Sequence, residues 1–84
     1  MVSGRQSEIE HAVAEYVDGS RNLASLENWL WPFMANLADS DDEESRSLVG
    51  RIGNLISEYS DGNRSEQEIR KEMAKAILPL RMAS

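Results

Sequence analysis

The segments EYVDGSR (15–21) and EYSDGNR (58–64) are nearly identical, and each places carboxylates beside an Asp-Gly pair. Calcium loops use carboxylate oxygens around a sharp glycine turn, with ligands at loop positions 1, 3, 5 and 12 and glycine at position 6. With Gly62 at position 6, Ser57 and Tyr59 fall at positions 1 and 3, where carboxylates are needed. The first copy fits this spacing less well, so the repeat indicates a structural feature and not a calcium site.

The densest group of acids is the segment DSDDEES. Asp39, Asp41 and Glu43 have the spacing of three calcium ligands. Glu44, however, stands where the loop needs glycine, and Gly50 stands where it needs a bidentate glutamate. We therefore expect no metal and no cofactor. Such a run of acids is either a solvated loop or a surface that attracts a basic partner and raises its association rate.

Residues typical of catalytic sites are scarce in this chain. It has one histidine, His11, and no cysteine, which excludes a disulfide framework and a thiolate metal site. His11 falls between the apolar positions of a helix, so we expect it at the edge of the core or exposed. No phosphate-binding loop, dinucleotide-binding motif or hydrolase motif occurs. The sequence predicts a protein that is not an enzyme.

Length and charge limit the class of protein. Eighty-four residues make a single domain with one modest core, for which we expect flexible ends at residues 1–6 and 80–84. The net charge of −6 divides into −8 in residues 1–44 and +2 in residues 45–84, and the overall sign disfavours non-specific nucleic-acid binding. The chain lacks cysteine, a membrane-length apolar run and an apolar leader in MVSGRQSEIE. These features predict a cytoplasmic protein without membrane contact.

Four segments carry apolar residues at helical spacing, and none alternates as a strand would. The first predicts a helix over residues 8–18, started by Ser7 and Glu10 as a capping box. The third predicts a helix over residues 42–60, with Tyr59 facing inward among the apolar residues. The pattern indicates an all-α fold.

The second and fourth helices each contain a proline. The second begins with Asn22 or Ser25 as its cap, and Pro32 is expected to kink it or to divide it into two short helices. The fourth begins at a capping box in residues 65–68 and is expected to end just before Pro79. Two glycines inside the third helix also lower its helix propensity, by up to about 1 kcal/mol each, which indicates close packing against another helix there.

The repeat extends into the helices around it, since Ile9 aligns with Ile52 and Tyr16 with Tyr59. Each half is therefore a helix, an Asp-Gly stop, an arginine and a second helix. Two such helical hairpins can bury their apolar stripes against each other. The sequence predicts an antiparallel four-helix bundle of two related hairpins, with the second helix kinked at Pro32.

Arg21 and Arg64 close the two repeated phrases. One interpretation is that each binds carbonyl groups at the end of the preceding helix, where cations are favoured. The other is that each contacts a carboxylate of a partner.

Trp29 and Trp31 cannot both join one apolar stripe, because residues two apart on a straight helix point about 200° from each other. Trp29 fits the core with Leu26 and Phe33. Trp31 either packs into the core at the Pro32 kink or is exposed to a partner, since exposed tryptophan is enriched in binding hot spots.

The run GxxxLxxLxxWL, from Gly19 to Leu30, resembles the start of small bacterial helical proteins similar to colicin D-type immunity proteins. The run EYSDGNRSEQEIR resembles the second half of other small acidic bacterial proteins with the same layout. Together these runs cover about half of the chain. The resemblance implies a compact acidic helical protein that binds and blocks a basic toxin, commonly a nuclease. The net positive second half departs from a uniformly acidic inhibitor surface.

The leading hypothesis is a non-enzymatic protein-binding module, in line with an immunity or antitoxin-like inhibitor of a basic toxin. Its predicted surface combines a tryptophan that the apolar stripe cannot place with the nearby acids. These residues are Glu27, Trp31, Asp39, Asp41, Asp42, Glu43 and Glu44.

Three alternatives stay open at this point. The first is a small helical nucleic-acid-binding regulator acting as a dimer, and the second is a structural homodimer. The third is a small enzyme or a metal-dependent regulator. The cations available for nucleic acid are Arg64, Arg70, Lys71 and Lys75.

Overall fold

The computed structural model describes residues 4–82 and contains, in this range, four α-helices and no strand. The helices are α1 (Gly4–Asp18), α2 (Leu23–Leu37), α3 (Glu43–Ser60) and α4 (Glu66–Met82). They pack as the predicted four-helix bundle. The first helix contacts each of the other three, whereas α2 and α4 lie across the bundle from each other without close approach.

One hydrophobic core lies between the helices, and every helix contributes to it. The apolar stripes predicted from helical spacing supply its residues, which confirms the inward faces of all four helices. The large side chains that are fully buried are Ile9, Val13, Tyr16, Leu26, Leu30, Leu37, Val49, Ile52, Ile56, Ile69, Met73 and Ile77.

One core prediction is wrong. Tyr16 is 0% exposed, but Tyr59, its counterpart in the repeat, is 38% exposed. The difference arises because α4 covers Tyr16 with Glu66 and Arg70, whereas the repeat supplies no equivalent cover for Tyr59. The two hairpins are therefore related in sequence but not equivalent in packing.

The predicted caps of α2 and α4 are confirmed. The Asn22 side chain accepts a hydrogen bond of 2.8 Å from the Ser25 backbone N–H. At the start of α4, Ser65 Oγ accepts from the Glu68 N–H and Glu68 Oε1 accepts from the Ser65 N–H, both at 3.1 Å. This capping box holds the pKa of Glu68 below its ordinary value, because the Ser65 N–H stabilises the ionised carboxylate.

The start of α1 differs from the prediction. The helix begins at Gly4, so Ser7 lies inside it and does not form a capping box with Glu10. The additional turn is held by contacts to the segment before α3: Arg5 donates to Ser40 Oγ at 2.7 Å. Residues 4–6 of the expected flexible start are therefore helical, and residues 1–3 lie outside the described range.

Neither proline ends its helix. Pro79 lies inside α4, so the predicted end before it is wrong. An ion pair of 3.5 Å between Arg81 and Glu10 joins the last turn to α1. Residues 80–82 of the expected flexible end are helical, and residues 83–84 lie outside the described range.

Pro32 likewise lies inside one continuous helix, α2, so the alternative of two short helices does not occur. Asn28 and Pro32 are both exposed, and the Asn28 carbonyl that loses its hydrogen-bond donor can therefore be hydrated. The kink at Pro32 stays a prediction.

The repeated phrases form two matching helix ends. Gly19 and Gly62 have φ angles of +92° and +82°, the left-handed conformation predicted for a residue just past a helix. After α1, Ser20 donates its N–H to the Glu15 carbonyl at 2.8 Å. After α3, Asn63 N–H donates at 2.9 Å to the carbonyl of the corresponding glutamate. Each phrase therefore forms a Schellman motif at the end of its helix, and the chain then reverses direction before the next helix.

The two arginines have a role that neither interpretation predicted. Arg21 pairs with the side chain of Glu15 at 2.9 Å, and Arg64 pairs with the side chain of Glu58. In both phrases the last residue thus pairs with the first, across the turn. The carbonyls at these helix ends are satisfied by backbone N–H groups instead.

Gly50 and Gly53 are expected to respond differently to alanine. A Cβ at Gly50 would meet nothing within 4 Å, so Gly50→Ala should raise the free energy of unfolding by about 0.5–1 kcal/mol through helix propensity. At Gly53 a Cβ would lie 3.1 Å from Met34 Cε and 3.4 Å from Trp31 Cζ3, and part of the same gain would be lost in moving these side chains. Urea denaturation of both variants measures the difference. Equal stabilisation would contradict the close packing at Gly53.

Candidate partner-binding surface

Trp31 is 43% exposed, which agrees with the second of the two interpretations of this residue. Part of its ring rests on α3 at Gly53, where ring atoms lie 3.4 and 3.7 Å from the position that a Cβ would occupy. Met34 reaches the same point at 3.1 Å. One edge of the indole therefore packs on Gly53 beside Met34, and the rest of the ring is exposed to solvent.

Trp29 points away from Trp31, as the helical spacing predicts. It packs against the core and stacks on Phe33, with 4.6 Å between the ring centroids. Both rings are only partly buried, so this pair covers one side of the core instead of filling it. Of the two tryptophans, Trp31 is the one available to a partner.

The predicted acidic residues fall into two groups. Asp42 caps α3, since its carboxylate accepts from the Ser45 N–H at 3.2 Å and from Ser45 Oγ at 2.7 Å. Glu44 accepts from Gln6 Nε2 at 2.7 Å. Both acids therefore have structural partners, which reduces their availability to a ligand. The sequence did predict that acids at this position would favour a helix start.

Asp39, Asp41 and Glu43 form the second group. All three are exposed, and none has a hydrogen bond or ion pair to another described side chain. Asp39 and Asp41 lie in the turn between α2 and α3, and Glu43 is the first residue of α3. An approaching cation can contact these three acids without displacing an internal partner.

The predicted surface is extended and not a compact cluster. Glu27 lies one helical turn before Trp31 on α2 and is half-buried. From the rise of a helix, Trp31 lies about 9 Å along the helix axis from Leu37, the last residue of α2, and Glu27 about 15 Å. The structure therefore brings Trp31 and Glu27 together on α2 and places the acids at the far end of that helix.

A groove between α3 and α4 was not predicted from the sequence. It has a volume of about 570 Å³. Glu43 and Glu44 lie at one end, and Leu48, Pro79 and Leu80 form much of its apolar wall. The apolar residues of this wall on α4 lie in the segment ILPLRM. The predicted end of the helix before Pro79 left most of this segment outside the predicted helix.

A second hollow beside α1 contains residue types used in hydrolases. Ser7, His11 and Glu15 are spaced one turn apart and line it together with Trp29. No hydrogen bond joins the serine to the histidine or the histidine to the glutamate within the described residues, and Glu15 pairs with Arg21 instead. His11 is exposed, as predicted. This geometry does not make a nucleophile and base pair, which requires such hydrogen bonds.

A polar contact at a fully buried side chain joins α1 to α4. Tyr16 donates its hydroxyl to Glu66 Oε2 at 2.9 Å, and the Arg70 guanidinium lies over the tyrosine ring at 4.8 Å from its centroid. Burial first, and then the hydrogen bond to Glu66, raise the pKa of Tyr16 to about 12. All three residues have packing roles here, so this contact is a structural link between helices.

The cations proposed for nucleic acid are mostly engaged. Arg64 pairs with Glu58, Arg70 covers Tyr16, and Lys75 lies 3.7 Å from Glu72. Only Lys71 has no described partner within this set. The basic group is therefore spread over two helix faces and partly neutralised, which does not favour a phosphate-binding surface.

Within residues 4–82, no group of three or more histidine, aspartate or glutamate residues is arranged to hold a metal ion. None of the four described helices combines the length and apolar character needed to cross a bilayer. Comparison of the chain with protein-family models, with curated proteins and with solved structures finds no match in any of the three. Function must therefore be inferred from the residues and their geometry.

Proposed function

We propose that the chain is a non-enzymatic protein-binding module that acts as an immunity or antitoxin-like inhibitor of a basic protein partner. The exposed indole of Trp31, supported on Gly53, is the single observation that carries this proposal. An immobilised tryptophan offers a large apolar contact at low entropic cost, which is why tryptophan is frequent among binding hot spots.

The acids define the kind of partner. Asp39, Asp41 and Glu43 are exposed without internal partners at the end of the helix that carries Trp31. A partner with lysine or arginine around an apolar pocket would be drawn to these carboxylates and would seat the indole in the pocket. In such a complex the tryptophan supplies most of the affinity, and the acids supply association rate and salt dependence.

The test is differential capture from a lysate of the source organism. The immobilised wild-type chain should retain a basic protein that Trp31→Ala does not retain. Tyr59→Ala is the matched control, because Tyr59 is also an exposed aromatic residue but lies on α3. If wild type, Trp31→Ala and Tyr59→Ala retain the same proteins in the same amounts, the proposed surface is wrong.

The acids are tested separately. We expect Asp39→Asn/Asp41→Asn/Glu43→Gln to lower the association rate for the captured protein about tenfold at low salt and to leave its dissociation rate nearly unchanged, as for charges at the rim of an interface. Glu8→Gln is the control, since Glu8 is exposed on α1. Surface plasmon resonance at two salt concentrations measures both rates. A triple variant that associates as fast as Glu8→Gln would remove the acids from the proposal.

A further inference from the structure

We propose that Gly53 is a positioning residue for partner binding, because it fixes the direction in which the Trp31 indole meets the partner. Trp31 lies on α2 and Gly53 on α3, and these two helices pack against each other. Gly53 has this role only if Trp31 binds the partner, so this proposal depends on the proposed function. It adds a residue that acts through Trp31 and does not itself need to contact the partner.

Both ends of the indole are held. Cζ3 and Cη2 lie 3.4 and 3.7 Å from the position that a Cβ would occupy on Gly53. These two atoms form the outer edge of the six-membered ring, whereas the bond to the rest of Trp31 leaves from the five-membered ring. The ring system therefore bridges from α2 to α3, and a change of rotamer would lift its outer edge from Gly53.

Glycine leaves free the space that this ring edge occupies. Gly53 is buried, and Met34 Cε lies 3.1 Å from its Cβ position. An alanine would therefore need only a small shift of the flexible end of Met34, whereas a leucine would have to occupy space now filled by the Met34 methyl and the ring edge. At Gly50, three residues earlier on α3, a Cβ would meet nothing within 4 Å. Of these two glycines, Gly53 is the one at which a larger side chain competes with the indole.

An indole held in this way is ordered before it binds. Trp31 is 43% exposed, and an exposed side chain without such a contact exchanges between staggered rotamers. Binding would then include the entropic cost of selecting one rotamer, which a preorganised side chain avoids. Since most effects of interface substitutions appear in the dissociation rate, we expect loss of the Gly53 contact to shorten the lifetime of the complex.

Nuclear magnetic resonance of the free chain tests the positioning without a partner. The chain has two tryptophans, and Trp31→Ala identifies which indole Nε1 signal belongs to Trp31. In wild type we expect nuclear Overhauser effects between the six-membered ring of Trp31 and the Hα protons of Gly53. The order parameter of the Trp31 indole N–H should be close to that of a rigid backbone, about 0.85. Gly53→Leu should lower this order parameter, and Gly50→Leu should leave it unchanged.

Surface plasmon resonance with the basic protein that the wild-type chain captures measures the consequence for binding. Gly53→Leu should raise the dissociation rate at least about tenfold, because the indole is no longer held in one orientation. Gly53→Ala should change it less than about threefold, because the nearest ring atom would remain at an ordinary contact distance of 3.4 Å. Gly50→Leu is the matched control and should dissociate like wild type.

Circular dichroism melting verifies that each variant is folded. Absence of the nuclear Overhauser effects in wild type would overturn the positioning role of Gly53. So would a Gly53→Leu variant that dissociates like wild type while Trp31→Ala loses the partner, or equal losses in Gly53→Leu and Gly50→Leu. Failure of the proposed function is a different result, because it would appear as partner binding that Trp31→Ala retains.

Discussion

Tyr16→Ala should lower the free energy of unfolding by about 3–5 kcal/mol, the usual cost of removing a fully buried aromatic ring. Its ring is 0% exposed, its hydroxyl donates to Glu66 and Arg70 covers its face, so the substitution leaves a cavity and two polar groups without their partner. For a domain of this size the total free energy is about 5–15 kcal/mol, so a large part of it would be lost.

Tyr59→Ala is the matched comparison, because the repeat places Tyr59 in the same phrase but the structure leaves it 38% exposed. We expect a loss of about 1 kcal/mol or less, in the range of surface substitutions. Urea denaturation followed by circular dichroism measures both variants. Similar losses for the two tyrosines would contradict the inequivalence of the two hairpins.

Alkaline pH should destabilise the protein through Tyr16. The pKa of Tyr16 rises from its ordinary value of 10.0 to about 12 in the folded protein, chiefly through burial and then through Glu66. Because the folded pKa is the higher one, the neutral hydroxyl contributes its full stabilisation below pH 10 and loses it as the pH rises from 10 towards 12. The loss is on the order of 2–3 kcal/mol, since one pKa unit corresponds to about 1.4 kcal/mol.

Denaturant titrations at several pH values between neutrality and this alkaline range measure the effect. Tyr16→Phe removes the titrating hydroxyl and should abolish most of the alkaline loss, at a cost of about 1 kcal/mol at neutral pH for the missing hydrogen bond. Tyr59→Phe should keep the loss. An alkaline loss that persists unchanged in Tyr16→Phe would show that another group is responsible.

Local signals in the sequence predicted most of the fold. Helical spacing gave the core, and the caps at Asn22 and Ser65 and the turns at Gly19 and Gly62 follow from backbone hydrogen bonding within a few residues. These interactions are short-range, so the sequence carries them directly. They also explain how the repeated phrases serve the fold, as matching helix ends.

The errors arose where tertiary contacts outweigh local preference. Pro79 is a strong local stop, but α4 continues beyond it, with Leu80 half-buried and Arg81 paired with Glu10 of α1. The burial of Tyr16 and the exposure of Tyr59 depend on α4, which places Glu66 over Tyr16. The position in the first half that corresponds to Glu66 is Leu23, which cannot accept a hydrogen bond from Tyr59. No single-residue propensity contains this information.

The candidate surface was predictable only in part, because some of its features depend on contacts between residues far apart in the sequence. Helical spacing showed that Trp31 could not share the stripe of Trp29. It left open whether the ring packs into the core at Pro32 or is exposed, and the structure shows it 43% exposed. The internal partner of Glu44 could not be predicted, because the hydrogen bond from Gln6 to Glu44 joins residues 38 positions apart. The groove was missed because its wall depends on α4 continuing past Pro79.

The affinity of Trp31→Ala for the captured basic protein is the most direct test of the proposed function. Isothermal titration calorimetry should show a dissociation constant at least about 30-fold weaker than that of wild type, the equivalent of a hot spot of about 2 kcal/mol. Tyr59→Ala should bind like wild type. A Trp31→Ala variant that binds within twofold of wild type would contradict the proposal that this indole is the centre of the interface.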